Sequence, residues 1–206
     1  MMKRIDFLGI VPAQAVGKEI EAIASVELTD IDEAKNFFQI VKTRLAEVEK
    51  WHTLAGFMSA EFQLTDDAGN AISRILQPGD YLRVDIPGPG SKEGDGYDWA
   101  RIEDVRSMED PEWEGFGFRV RPSHNPTGDK NETAHFYDDN ASGTFEVLRE
   151  NNVVTAWIVD RNIQPNTEPV SLIDKVRDSV VGMSALIKFS EIQWQHLANG
   201  LLKTDQ

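Results

Sequence analysis

The chain has 206 residues, 40% hydrophobic and 27% charged, enough for one well-filled core and too apolar for disorder. Its 21 Lys and Arg face 35 Asp and Glu, a net charge of −14 that repels nucleic-acid phosphates and anionic membranes and would steer in a basic protein partner. With no cysteine, disulfides, thiolate nucleophiles, iron–sulfur clusters and cysteine-ligated zinc are excluded, and no stretch approaches the roughly 18 apolar residues of a membrane helix.

Lys3 and Arg4, the apolar stretch Phe7 to Val11, and Ala13-Gln14-Ala15 imitate a secretory leader and its cleavage site. Asp6 and Pro12 bracket that stretch, however, and keep it shorter than the usual seven or so residues, so the sequence points to the cytoplasm. Val16, Ile20 and Ile23 then predict a short helix over 14–24. A longer one follows. Asp30 with Glu33 reads as a capping box, and Ile31, Ala34, Phe38, Val41, Leu45, Val48 and His52 recur at three- and four-residue steps. Phe37, Ile40 and Trp51 widen that stripe, and Gly56 ends it.

From Phe57 the period changes to two. FMSAEFQL, DYLRVDI, YDWARIEDV and FGFRVRP are short, rich in aromatic and β-branched residues, and separated by turns such as Asp67-Ala68-Gly69-Asn70 and Pro78-Gly79-Asp80. TFEVLRENNVVTAWIVDR reads as a hairpin about Asn151-Asn152, with Phe145 facing Ile158, Val147 facing Ala156, and Glu146 and Trp157 on the other side. Between them, residues 123–142 predict a long polar loop. Pro169 with Val170, Ile173, Val176 and Val180 predicts one closing helix. Ser190 with Gln193 predicts the cap of a second, carrying Ile192, Trp194, Leu197, Leu201 and Leu202. The absence of βαβ alternation makes this an α+β chain, with one domain spanning 1–206. The expected fold is an antiparallel curved sheet or partial barrel of about six or seven strands, preceded by a long helix and followed by two C-terminal helices.

The run IPGPGSKEGDGYDW, 86–99, invites a phosphate reading and fails it. Gly88, Gly90, Gly94 and Gly96 match neither phosphate-loop spacing, a strand follows rather than a helix, and acids outnumber Lys92 and Arg101. A calcium ion held by Glu93, Asp95 and Asp98 is chemically more sensible, although the spacing matches no defined calcium loop. A stiff connector is the simpler expectation.

Glu49 with His52 and Glu132 with His135 repeat the Glu-x-x-His pattern of di-iron bundles, but the second pair sits in a loop and the fold is no bundle. His124, His135 and Asp138 share the polar loop and are the residues from which a two-His-one-carboxylate site would have to be made. Gly182-Met183-Ser184-Ala185 lacks the second glycine of a nucleophile elbow and lies in a helical pattern. Glu112 and Glu114 flank Trp113 as in a sugar site, a match without discriminating power in so acidic a chain. Residues 171–203 hold four Lys and Arg against three Asp and Glu, not the basic face of a DNA-reading helix.

At GDYLRVDIPGPG, GDGYDWARIE, the RN-x-x-PNT of Arg161 to Thr167, and QWQHLANGLL, the chain resembles a family of uncharacterised bacterial proteins. The similarity covers most of 29–202 and implies a single full-length domain and a bacterial source, with no activity, ligand or catalytic residue attached. Two functional readings remain open. One is a non-catalytic protein that binds a partner or a small apolar ligand within the concave side of its sheet, with Tyr97, Trp99, Trp113 and Trp157 as candidate contacts and no cofactor. The other is a small metal-assisted hydrolase built on the His124, His135 and Asp138 loop.

Overall fold

A computed structural model describes residues 6–56, 59–87, 91–166 and 180–204. In chain order the elements are β1 (Lys18–Glu27), α1 (Ile31–Ala46), a 3₁₀ turn (Val48–Lys50), α2 (Trp51–Ala55), β2 (Glu61–Thr65), β3 (Tyr81–Asp85), β4 (Asp98–Glu109), β5 (Trp113–Pro122), β6 (Ser142–Glu150), β7 (Val153–Ile163) and α3 (Val180–Leu201). The seven strands form one antiparallel sheet in the order β1-β7-β6-β5-β4-β3-β2. Register shifts at Lys18/Ile20 and Ile102/Asp104 put an irregularity into β1 and β4, the kind of insertion that bends a strand and sharpens its twist.

The hairpin follows the expected register. Asn151 takes φ +54, and Phe145 pairs with Ile158, Glu146 with Trp157, and Val147 with Ala156. The helix expected over 14–24 is instead the start of β1. KEIEAIASVE alternates, with Ile20 and Ala22 buried while Val16 and Ile23 are 45% and 43% exposed, so the period of two won over a coincidental step of three and four.

The long helix begins as expected: the Asp30 carboxylate accepts from Glu33 N at 2.8 Å, and Glu33 returns to Thr29 N at 2.9 Å. It does not run to Gly56. At Glu47 (ψ +69) the helical path breaks, and the chain resumes in the 3₁₀ turn and α2. The break turns Trp51 inward, where its Nε1 donates to the Leu45 carbonyl at 3.1 Å, one of the acceptors a helix end leaves open. Ala34, Phe37, Phe38, Val41 and Leu45 form the buried stripe, whereas Ile31, Ile40 and His52, also expected there, are exposed.

Gly56, at φ +87, closes α2. At the C-terminus, the helix expected from Pro169 falls mainly on 167–179, outside the described residues. Ser190 and Gln193 start no new helix. Both lie inside the single helix α3, and their side chains serve tertiary contacts instead: Ser190 with Tyr137, and Gln193 with the Ala60 backbone.

The helices cover one face of the sheet: α1 lies over β6 and β7, α2 against β2, and α3 over β1 and β7. Trp51 centres the core, its ring 5.1 Å from Phe62, 4.8 Å from Phe145 and 6.4 Å from Trp194. The opposite face is strapped by the N-terminal segment, where Arg106 and Arg119 donate to the carbonyls of Leu8 and Ile10 at 2.9 and 3.0 Å. Among the described residues no helix is long and apolar enough to cross a membrane.

Candidate functional site

The hairpin register carries one consequence beyond the core. Ile158 and Ala156 point at the helices, so Asp160, two residues on, points there too, opposite Gly143 of β6 and Ile20 of β1. Burial of this carboxyl group pushes its pKa up to about 7, against a smaller lowering by the Trp194 indole, whose Nε1 donates to Oδ2 at 2.8 Å.

Asp160 lines a narrow slot between the sheet, α3 and the loop around His135–Tyr137, a cavity of about 70 Å³. Phe62, Leu82, Val84, Ala100 and Val120 form the sheet wall, and Phe189 and Trp194 of α3 face them. A few polar groups join Asp160 in the lining. The Tyr137 hydroxyl lies 3.3 Å from Ser190 Oγ, Ser142 lines the same space, and Gln193 Oε1 accepts from Ala60 N at 2.6 Å. Burial, then the nearby Asp160 charge, raises the Tyr137 hydroxyl far above the ordinary phenol range, so it stays a neutral donor.

The residues singled out from sequence fall in several places. His135 is at the slot, stacked on Phe136 with centroids 4.4 Å apart, its Nδ1 accepting from Tyr137 N at 2.9 Å. His124 is in a different surface cleft, its Nε2 3.3 Å from the Tyr81 hydroxyl. Desolvation and then the charges of Lys130 and Arg101 lower its pKa, which favours the uncharged ring. Asp138 closes a turn by accepting from the Asn140 backbone and side chain at 3.1 and 3.2 Å. The three are not brought together, and among the described residues no three His, Asp or Glu side chains converge as metal ligands.

Glu93, Asp95 and Asp98 are likewise dispersed. Glu93 accepts from Ser91 Oγ at 3.2 Å, Asp95 from Asn125 Nδ2 at 3.0 Å, and Asp98 is buried at the start of β4. Gly94 is there for close packing: a Cβ on it would lie 1.8 Å from the Tyr97 carbonyl oxygen. The connector does join two strands, β3 and β4, as its sequence suggested.

None of the four aromatic candidates lines the slot. Tyr97 lies under the Arg83 guanidinium at 4.6 Å, and Trp99 is buried beside Tyr81 and Ala134. Trp113 packs on Phe7 at 5.7 Å, and Trp157 donates to Glu21 at 2.7 Å on the outer face. Phe62, Phe145, Trp194 and Tyr137 line it instead. Asp160 was within reach of sequence reasoning through the hairpin register, as a polar residue in an otherwise apolar strand. Tyr137 and Ser190 were not, because a loop and a helix meet there only in the folded chain.

No family model matches this chain, and no curated protein matches it. Among solved structures it is similar to the hypothetical protein jhp0584 from Helicobacter pylori, at 11% identity and TM-score 0.46, over 92% of this chain and 98% of that one. It is also similar to major latex-like protein 151 from Panax ginseng, at 10% identity and TM-score 0.34, over 84% and 97% of the two chains. A START superfamily protein from Mycobacterium smegmatis stands at 10% identity and TM-score 0.31, over 84% and 96%. Likenesses at these values carry no argument about function. The architecture stands on its own strand order: a seven-stranded antiparallel sheet with a long helix near the C-terminus against one face, an α+β arrangement.

Proposed function

We propose that this chain is a non-catalytic binding protein for a small apolar ligand held in the slot between the sheet and α3. The observation that supports it is the slot's lining: mostly side chains of Phe, Leu, Val, Ala and Trp, with a small number of hydrogen-bonding groups among them. An apolar molecule gains about 25 cal/mol for each Å² of apolar surface it removes from water, and the polar groups would fix its orientation. The hydrolase reading has no such support, because His124, His135 and Asp138 face different surroundings. A basic protein partner remains an expectation of the −14 charge alone.

The test is displacement of an apolar fluorophore by a panel of apolar compounds, run on the native chain and on Ala100→Phe, which fills the slot from β4. Saturable binding by the native chain, reduced at least about tenfold in a variant that unfolds at a similar temperature, supports the reading. Equal binding by both would place the ligand elsewhere.

A further inference from the structure

Asp160 is a buried carboxyl group with no cation beside it among the described residues. Among the described residues its only hydrogen bond is the Trp194 indole at Oδ2, it forms no ion pair, and neither Lys nor Arg lines the slot. Acids buried in this way are expensive, and they recur where a charge partner arrives with a ligand. The strand opposite packs closely on this carboxyl group. Gly143 faces Asp160 across the β6–β7 ladder, and a Cβ there would lie 3.2 Å from Oδ1.

The rings of Phe62, Phe136, Tyr137, Phe145 and Trp194 supply the remaining surroundings. Aromatic faces attract cations, most strongly once water is excluded.

We propose that the slot selects an apolar amine, whose protonated nitrogen donates to the Asp160 carboxylate and leaves its carbon body along the sheet wall. This rests on the reading of the slot as a ligand site and adds the class of ligand. The amine supplies the positive charge that no described residue places there. An alcohol of the same length makes only a neutral hydrogen bond there, and a carboxylate meets a like charge.

The test is titration at pH 8 with n-octylamine, n-octanol and n-octanoate, following the Trp194 indole N–H resonance, the group that Asp160 holds. The amine is expected to bind at least about tenfold tighter than the alcohol, the difference between a charge-assisted and a neutral hydrogen bond, with the carboxylate weakest. Asp160→Asn should erase the preference of amine over alcohol while leaving alcohol binding in place. Because that change alters the −14 net charge by only one, diffuse attraction of a cation to an acidic protein would survive it. Alcohol binding as tight as amine binding, or an amine preference that survives Asp160→Asn, overturns the amine assignment and leaves the slot as a binding site. If none of the three compounds moves the Trp194 resonance, the slot reading fails and this proposal with it.

Discussion

Asp160 makes the stability of this protein depend on pH in a direction opposite to that of most surface carboxylates. Its pKa is raised from 3.8 to about 7 in the folded chain, so folding favours the protonated form. The stability this contributes is fully present below the unfolded pKa, near pH 4, and is lost as pH rises to about 7, at roughly 1.4 kcal/mol per pH unit. The other titratable groups near it are Tyr137 and His135 on the loop and Glu191 on α3. Asp160→Asn keeps an oxygen for the Trp194 indole and cannot ionise. The variant should therefore be more stable than the native chain by a few kcal/mol at pH 8 and close to it at pH 4, measured by urea denaturation across that range. A difference that does not change with pH would mean Asp160 is ionised in both states.

Glu103 titrates the other way. Burial would raise its pKa, but hydrogen bonds from Arg121 at 2.6 Å and Arg119 at 2.8 Å overcome that and hold it low. Its contribution is present above the ordinary glutamate range and is lost only as pH falls through the lowered value, so acid-side and neutral-side losses fall in separate windows.

The β6–β7 hairpin shows which elements were legible in the sequence. Asn-Asn between two alternating apolar runs fixes both the turn and the register, and the register places every inward residue through Asp160. Its far end is locked by Arg149, fully buried, which pairs with Glu114 and donates to the Asn151 carbonyl at 2.9 Å and the Glu112 carbonyl at 3.3 Å. Arg149→Ala would strand the Glu114 charge and should cost about 3–5 kcal/mol, partly recovered by adding Glu114→Gln, as a double-mutant denaturation cycle would show.

The long helix was legible at its start and along its stripe, because capping and periodicity are local. Leu45, fully buried on that stripe, should cost about 2–5 kcal/mol when cut to Ala, and an unchanged denaturation midpoint would contradict the packing of α1. Its break at Glu47 was not legible, since what favours it is Trp51 reaching Phe62 and Phe145, contacts about ten and ninety residues away. The same holds for β1. Its alternation competes with a helical spacing over ten residues, and pairing with β7, far along the chain, decides between them.

At the scale of the molecule, two layers hold the sheet: helices on the inner face, and on the outer face the strap of Leu8 and Ile10, both buried. The polar loop of 123–141 is the third participant. Although its sequence reads as solvent-facing, it buries Phe136 and Tyr137 and brings the latter over the slot. Composition hid this, because a few apolar residues anchor a loop whose remaining side chains are polar.

The slot is thus the meeting point of a sheet face, a loop and a helix that are distant in sequence, and the claim that a ligand lies there is the centre of this account. The most direct measurement is the set of intermolecular nuclear Overhauser effects from a bound apolar ligand. The account predicts contacts to Val84, Val120, Phe145 and the Trp194 ring, which line the slot from both sides. Contacts confined to outer groups such as Trp113 or the exposed Ile75 would contradict it.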